Sequence, residues 1–363
     1  MKIFYDGYIY TYKKYGGINR IFTELADSLG GPGKGNQIYR FRFSDNKTAV
    51  SCFYQVPKLG GLMRRYDNMI LAGRIRKFRP DIYHTSYYRL PVEIPGKKIV
   101  TVYDLIHEKY PQYFSKPEVF LNQKKASIEA ADMLLAISET TRRDLIEYYR
   151  LAPEKVTVIY LAASHVFSRV TAEEKQLFQQ ANNLTKPFLL YVGQRKGYKN
   201  YLTLLQVYSK WSSNREVDLI SVGGEAGLSP EEAKIIRDCN LKGSVRMLAG
   251  MGDQQLRLYY GTALAFVYPS YYEGFGLPVL EAMACGTPVL LAKSPSLEEV
   301  AAKAGLYFTP LSAQELHSKL EELVNSENLR NQLSLQGLMR SQEFNWEKTC
   351  ADTYNAYLRA LGG

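Results

Sequence analysis

The stretch that decides the fold is residues 263–289, which read ALAFVYPSYYEGFGLPVLEAMACGTPV. Its first part, Ala263–Val267, is an uninterrupted apolar run of the kind found in strands that are buried on both faces. Pro278 suits the first turn of a helix, where its missing N–H costs nothing, and Gly286 with Pro288 ends that helix after about two turns. The stretch therefore predicts a buried strand, a glycine-containing loop and a short helix.

The same alternation of apolar runs and helix patterns continues along the chain. It predicts an α/β fold with doubly wound parallel sheets, because unbroken apolar runs suit parallel strands covered by helices. A polar helix pattern at 172–183 follows a domain boundary that we place near 162–171. The other predicted strands are 99–103, 133–137, 156–159, 188–192, 219–222 and 245–248, and the predicted helices include 18–29, 120–131, 138–149, 229–239 and 314–325.

Composition and charge exclude several classes of protein. The chain has 363 residues, of which 46% are hydrophobic and 23% charged, and this composition excludes a disordered protein. No apolar run approaches the roughly 18 residues of a membrane-spanning helix. Residues 1–163 carry 26 Lys and Arg against 16 Asp and Glu, and residues 164–363 carry 20 of each, so the net charge of +10 belongs to the first half. This asymmetry excludes a uniformly basic protein that coats nucleic acid and indicates two domains with different partners.

The N-terminus and the cysteines predict the compartment. The first residues, Met1–Asp6, read as a short strand and lack the apolar segment of a secretory signal. The four cysteines are scattered without metal-binding spacing, which is typical of free thiols in a reducing compartment. Both features favour a cytoplasmic protein.

The loop after the strand at 263–267 has the chemistry of an anion site. Gly274 and Gly276 let the backbone approach a ligand closely, and the start of the next helix offers N–H groups and a positive dipole, which suits a diphosphate. Because carboxylates repel a diphosphate, we expect Glu273 and Glu281 to bind neutral hydroxyls on either side of it. Such a ligand is a nucleotide-sugar.

The setting PSxxEGFGLPxLEAMAxGTPV resembles the signature of the retaining glycosyltransferases of family 4 (GT4), which have the GT-B fold. The resemblance implies two Rossmann-like domains facing a cleft, at 1–165 and 166–344. It also implies a last helix, within 345–363, that crosses back to complete the first domain.

The resemblance assigns roles to residues of this chain. It implies that Glu273 contacts the donor sugar, that Glu281 binds the ribose, and that Met251 lies where the backbone reads the base. The implied donor-binding residues are Gly16, Gly17, Arg195, Lys199, Met251, Gly274, Phe275, Gly276, Leu277 and Glu281, and the implied catalytic residues are Glu273, His107, Asp104, Arg195 and Lys199.

A second loop, residues 191–200, reads YVGQRKGYKN and resembles the family's YVGxRxxYKN loop. Arg195 and Lys199 are four residues apart, so both can reach one diphosphate, and in the family this pair stabilises the leaving nucleoside diphosphate. Some members carry the arginine one position earlier, where this chain has Gln194. No Asp-x-Asp motif occurs, so we expect cationic side chains and a helix dipole to act in place of a metal ion, and no cofactor.

The N-terminal half matches the family more loosely. Gly16 and Gly17 resemble the family's glycine loop, which faces the donor phosphates and the acceptor. Relatives often read His-Asp where this chain has Tyr103-Asp104. The role of the family histidine therefore passes either to Tyr103 or to His107, and the other interpretation of His107 is a structural histidine that caps the loop.

Basic and apolar residues interleave at 59–80. Such a pattern suits the surface of an anionic membrane, and it equally suits an amphipathic helix with a core-facing apolar side and a solvated basic side. The resemblance gives the first interpretation a purpose, because many members act on lipid-diphosphate acceptors held by the N-terminal domain at the inner face of the membrane. The basic residues are Arg64, Arg65, Arg74, Arg76, Lys77 and Arg79.

The expected activity is metal-independent, retaining transfer of a hexose from a nucleotide-sugar to a hydroxyl of a glycan or lipid-linked acceptor, in the synthesis of exopolysaccharide or cell-surface polysaccharide. UDP-glucose is the first expectation for the donor, and it rests on the frequency of that donor in the family. The alternatives are a GDP-mannose-dependent mannosyltransferase and a non-catalytic sugar-nucleotide-binding protein. No nucleic-acid partner is expected.

Overall fold

The structure is a computed structural model that describes most of the chain, namely residues 1–9, 17–30, 35–40, 69–90, 94–224 and 227–362. The chain divides into two compact units, Met1–Leu161 with Trp346–Gly363, and Ala162–Asn345. In the described part of each unit, six parallel strands form one sheet with flanking helices, which confirms the predicted α/β class. Within the described ranges, no helix is both long enough and apolar enough to cross a membrane.

The first unit is built on strands β1–β6 and on helices from both ends of the chain. Its strands are β1 (Lys2–Tyr5), β2 (Gln37–Arg40), β3 (Ile82–Thr85), β4 (Lys97–Val102), β5 (Met133–Ala136) and β6 (Val156–Val158). Its labelled helices are α1 (Gly17–Leu29), α2 (Ile106–Lys109), α3 (Pro117–Ala130), α4 (Glu139–Tyr149) and the last helix, α13 (Trp346–Leu361), with 3-10 turns at Pro111–Tyr113 and Pro153–Lys155. The strands lie in the order β2-β1-β3-β4-β5-β6.

A helical segment at 69–78 packs its apolar side into the core of the first unit. Leu71 and Ile75 are fully buried there against Phe4 and Tyr83, whose rings stack with centroids 5.7 Å apart. The described part of the basic stretch therefore fits the amphipathic helix with a core-facing side, and membrane contact stays a prediction. Arg74, Arg76, Lys77 and Arg79 are exposed, and Arg64 and Arg65 lie outside the described residues.

The last helix, α13, belongs to the first unit, as predicted. The Tyr357 hydroxyl lies 2.6 Å from Nδ1 of His84 on β3 and 3.3 Å from the Tyr5 hydroxyl on β1. Near the start of the helix, the Thr349 hydroxyl donates to the carbonyl of Tyr160 at 2.8 Å. These bonds join the C-terminal segment to a sheet made from the start of the chain.

Acid is expected to weaken the attachment of α13. Burial lowers the pKa of His84 to about 3, and its Nε2 lies 2.7 Å from the Thr101 hydroxyl. The pKa of a histidine in the unfolded chain is about 6.5, so between these two values the unfolded state binds more protons than the folded state. The free energy of unfolding therefore falls as the pH drops from about 6.5 toward 3, by up to about 1.4 kcal/mol per pH unit. Denaturant titrations at several pH values should show a steeper acid loss in the wild type than in His84→Gln. Equal slopes would contradict this role of the imidazole.

The second unit contains strands β7–β12 and helices α5–α12. Its strands are β7 (Phe188–Val192), β8 (Asp218–Val222), β9 (Val245–Leu248), β10 (Ala265–Tyr268), β11 (Val289–Ala292) and β12 (Gly305–Phe308). Its helices are α5 (Ala172–Ala181), α6 (Tyr201–Lys210), α7 (Pro230–Asp238), α8 (Asp253–Thr262), α9 (Leu277–Ala284), α10 (Pro295–Ala301), α11 (Ala313–Asn325) and α12 (Glu327–Ser341), with 3-10 turns at Gly197–Lys199, Ser212–Arg215 and Ala302–Ala304. The strands lie in the order β12-β11-β10-β7-β8-β9.

This strand order places β7 beside β10, where the direction of the crossovers reverses. In open α/β sheets, ligands bind outside the carboxyl ends of the strands at this point. The loop with Arg195 and Lys199 follows β7, and the loop with Glu273 follows β10. The fold therefore brings the two predicted loops to one edge of the second sheet.

Candidate functional site

The loop between β10 and α9 has a conformation that requires glycine. Gly276 has a φ of +104°, which L side chains rarely adopt, and a Cβ atom there would lie 2.6 Å from Cδ2 of Leu297. Phe275 is buried, with its ring centroid 5.6 Å from that of Phe344. Pro278 occupies the first turn of α9. The start of α9 is therefore fixed beside the loop that carries Glu273.

The 3-10 turn at Gly197–Lys199 is bonded to the loop after β10. The carbonyl of Tyr198 accepts a hydrogen bond from the backbone N–H of Tyr271 at 3.2 Å and from the Ser270 hydroxyl at 3.4 Å. Because Ser270 is buried, this junction is shielded from water. These bonds join the two loops and fix the backbone that directly precedes Lys199 and Glu273.

Lys199 and Glu273 form the central ion pair of the site. Nζ of Lys199 donates to Oε1 of Glu273 at 2.6 Å and to the Tyr268 hydroxyl at 2.9 Å. The two charged side chains are only 14% and 12% exposed, so water screens their charges weakly. The ammonium also lies 5.2 Å from the ring centroid of Tyr198. The site thus holds a cation and a carboxylate side by side at the sheet edge.

Arg195 is held by the segment that follows β8. Its Nε donates to Oε1 of Glu232 at 3.0 Å, and its two terminal nitrogens donate to the carbonyls of Gly223 and Gly227. Glu232 is itself fixed, because its other carboxylate oxygen accepts the N–H of Ser229 at 2.7 Å in a capping box. Arg195, which we predict to bind the diphosphate, therefore also anchors the segment that follows β8.

The charges of Arg195 and Glu273 act in opposite directions on the pKa of one buried tyrosine of β7. The charges of both side chains influence the pKa of Tyr191, which burial raises well above its usual range, with Glu273 raising and Arg195 lowering it. Tyr191 stands on β7 and packs against Tyr201 with a centroid distance of 4.8 Å. Both charged groups therefore contribute to the electrostatic environment of Tyr191.

The remaining donor-binding candidates of the second unit lie on neighbouring segments. Glu281 is on α9, one turn beyond its start, and its carboxylate accepts a hydrogen bond from the Tyr260 hydroxyl at 3.3 Å. Met251 is half-buried in the turn that precedes α8. Gly274 and Leu277 lie before and after Gly276, the residue with the positive φ. Their roles in binding a ligand stay predictions.

The structure places Asp104 and His107 in the loop after β4. The Asp104 carboxylate accepts the N–H of Ile106 at 3.0 Å and so begins the short helix α2. The His107 ring stacks on Phe114 with a centroid distance of 3.9 Å, and its Nδ1 is buried without a hydrogen-bond partner in the described part of the chain. Burial lowers the pKa of His107, while the charge of Asp104 opposes this shift, so the ring is neutral near pH 7.

A buried ion pair supports this loop. Nζ of Lys124 donates to the Asp104 carbonyl at 2.6 Å and to the Glu108 carboxylate at 2.9 Å, and the Tyr149 hydroxyl donates to the same carboxylate at 2.8 Å.

The Tyr103 hydroxyl donates to the backbone carbonyl of Ser86 at 3.1 Å. In this conformation the Tyr103 hydroxyl is used within the fold, whereas Nδ1 of His107 has no hydrogen-bond partner among the described residues.

Comparison with known sequences identifies the family. The profile of "Glycosyl transferases group 1" matches residues 172–338, and that of "Glycosyltransferase Family 4" matches residues 15–167. The chain belongs to glycosyltransferase family 4. The first match lies in the second unit and includes Arg195, Lys199, Glu273 and Glu281.

Named relatives and a solved structure agree with this assignment. The glycosyltransferase is 29% identical over 291 residues to the O-antigen chain mannosyltransferase B of Escherichia coli. This match covers 79% of this chain and 76% of that protein. It is 28% identical to the serotype-specific mannosyltransferase WbdA of E. coli over 77% of this chain, but spans only 36% of that longer protein. A sucrose-phosphate synthase structure from Thermosynechococcus elongatus superposes with a TM-score of 0.80 over 99% of both chains at 21% identity. The glycosyltransferase therefore has the GT-B fold.

Two site neighbours of the glycosyltransferase were not found from its sequence. Tyr268 contacts Lys199 at the end of a strand that we predicted only as an apolar run. Glu232 completes a Ser-x-x-Glu capping pattern with Ser229, which the sequence does contain, but its bond to Arg195 spans 37 residues. The predicted Gly16 lies outside the described residues, and Gly17 is the first residue of α1.

Proposed function

We propose that this glycosyltransferase is a retaining mannosyltransferase that moves mannose from GDP-mannose to a hydroxyl of a glycan or lipid-linked acceptor in cell-surface polysaccharide synthesis. The observation that carries the proposal is the Lys199–Glu273 pair, 2.6 Å apart at the edge where β7 meets β10 and beside the start of α9. A cation and a helix start suit the diphosphate of a donor, and an adjacent carboxylate suits the hydroxyls of its sugar.

Mannose replaces glucose in the proposal because of the relatives. Both E. coli relatives described above are named mannosyltransferases, and one of them acts on an O-antigen chain. These names support the alternative that we set beside UDP-glucose, and they support a polysaccharide as the acceptor. The base preference, GDP over UDP, follows from this choice of sugar.

The reaction can be written with the residues of the second unit. An ammonium has three N–H donors, and Lys199 uses two of them for Glu273 and Tyr268, so the third is available to a phosphate oxygen. As the anomeric C–O bond breaks, its electron pair goes to the diphosphate, and positive charge develops on the sugar. Glu273 stabilises that charge, and Lys199 with the first turn of α9 stabilises the diphosphate without a metal ion. The acceptor oxygen then bonds to the same face of the sugar, and its proton passes to the departing phosphate.

Donor preference provides the test of the proposal. Ligands that bind the folded state raise its Tm, so thermal shifts should be larger with GDP-mannose than with UDP-glucose at equal concentration. Slow hydrolysis of GDP-mannose by the purified protein should release mannose with retained anomeric configuration, which NMR can follow. A larger shift with UDP-glucose would overturn the choice of donor, inverted product would overturn the mechanism, and binding without any turnover would favour a non-catalytic binder.

A further inference from the structure

Tyr268 occupies an unusual place for a residue of the buried sheet. It ends β10, its side chain is 1% exposed, and its ring stacks on Phe266 with a centroid distance of 5.4 Å. Its hydroxyl nevertheless lies 2.9 Å from Nζ of Lys199, and that ammonium lies 5.3 Å from its ring centroid. The phenol therefore joins the hydrophobic core to the charged pair of the site.

The hydrogen-bond donors of this cluster can be assigned. Because an ammonium only donates, Lys199 donates to the Tyr268 hydroxyl, and the phenol proton remains for another acceptor. Glu273 accepts from the same ammonium at 2.6 Å, so Lys199 bridges the phenol and the carboxylate. Burial and the charge of Glu273 raise the pKa of Tyr268 well above its usual range, so the phenol stays protonated. Lys199 thus donates to Tyr268 and to Glu273, which together hold its ammonium from two sides.

We propose that Tyr268 is a positioning residue, which holds the ammonium of Lys199 so that one of its N–H groups stays directed toward the donor diphosphate. This inference rests on the proposed glycosyl transfer. Without the hydroxyl, Lys199 loses an acceptor, and its ammonium is free to turn fully toward Glu273. An ammonium that is turned toward Glu273 has less contact with a phosphate.

The effect should appear where charge develops on the diphosphate. The leaving nucleoside diphosphate carries more negative charge than the bound donor, so a misplaced Lys199 weakens the transition state more than the ground state. The expected signature of Tyr268→Phe is a lower kcat and weaker binding of the product GDP, with little change in the KM for donor. A role confined to packing would not separate kcat from KM in this way.

The chain offers a matched control in Tyr201→Phe. Tyr201 is fully buried, and its hydroxyl accepts from the Ser221 hydroxyl at 2.9 Å and donates to Sδ of Met247 at 3.7 Å. Both variants remove one buried phenolic hydroxyl from the tyrosines around β7 and keep the ring. The loss of stability, measured as Tm, should therefore be similar in the two variants, which leaves the site chemistry as their difference.

The experiment measures donor kinetics and GDP affinity of the full chain. For Tyr268→Phe we expect a fall in kcat of about ten- to a hundred-fold, consistent with the loss of a hydrogen bond to a charged group, a KM for GDP-mannose within about twofold of wild type, and a roughly tenfold weaker Kd for GDP by calorimetry. Tyr201→Phe should change none of the three. Wild-type kcat and GDP affinity in Tyr268→Phe, or equal losses in both variants, would overturn the inference.

Failure of the proposed function gives a different result. If the wild type turns over no nucleotide-sugar but binds GDP or UDP, the function fails while the nucleotide Kd of the two variants still tests the role of Tyr268. If the wild type binds no nucleoside diphosphate at all, both the function and the inference are overturned.

Discussion

Replacing Glu273 with glutamine is expected to lower kcat for glycosyl transfer by about a thousandfold. Glutamine keeps the size of the side chain and one oxygen acceptor, but it removes the negative charge that faces the sugar as positive charge develops there. The carboxylate is only 12% exposed, so water cannot replace this charge effectively. The measurement is the initial rate of GDP-mannose hydrolysis or transfer at saturating donor.

A matched control separates this effect from a general loss of charge. Glu231 lies exposed in the first turn of α7, so Glu231→Gln should keep wild-type kinetics. The Tm of Glu273→Gln should fall less than that of Lys199→Met, because the amide oxygen can still accept from Lys199, although the mostly buried ammonium loses its anionic partner. A Glu273→Gln enzyme with wild-type kcat would contradict any role for this carboxylate in the reaction.

Strong local signals made most of the second sheet predictable. The runs at 188–192 and 245–248 coincide with β7 and β9, because β7 is apolar along its whole length, β9 is apolar except for Arg246, and both are bounded by turn residues. Ser138 and Ser229 were counted as the first residues of helices, but both are N-caps whose hydroxyls accept from the third residue of the helix. Such one-residue errors are expected, because an N-cap serine stands directly before the helix pattern and is easily counted as its first residue.

Other strands gave weak signals in the sequence. β2 is short and half-exposed, with Gln37 and Arg40 at its ends, and β12 starts at Gly305 and is only partly buried. β11 is fully buried, but its short apolar run follows Pro288 directly and is not among the predicted strands. Their position in the sheets depends on pairing with distant strands, which local periodicity does not encode.

The candidate site was predictable where its chemistry lies within one loop. Glu273 and Lys199 were each assigned from local motifs, but their 2.6 Å contact depends on the neighbouring positions of β7 and β10. The partners that hold these groups, Tyr268 and Glu232, are ordinary residues in the sequence, and their contacts span 69 and 37 residues. Charged groups in loops are therefore easier to predict from one sequence than the buried hydroxyls and helix caps that orient them.

Replacing Lys199 with methionine is expected to lower kcat by about a hundred- to a thousandfold. Methionine keeps much of the apolar stem but removes the charge that stabilises the departing diphosphate, a loss comparable to removing one donor from an oxyanion site. It also leaves the mostly buried Glu273 without its cationic partner, so the free energy of unfolding should fall by about 1–3 kcal/mol. Lys196→Met, an exposed lysine of the same loop, is the control for kinetics and stability.

The double variant Lys199→Met/Glu273→Gln separates the two consequences. Stability should recover in part, because no unpaired charge remains in the site, whereas activity should stay at or below that of the weaker single variant, because both stabilising charges are lost. Denaturant unfolding and donor turnover of the four proteins complete the cycle. Recovery of activity together with stability would mean that Lys199 serves only to neutralise Glu273, and additive losses of stability would mean that the two side chains do not interact.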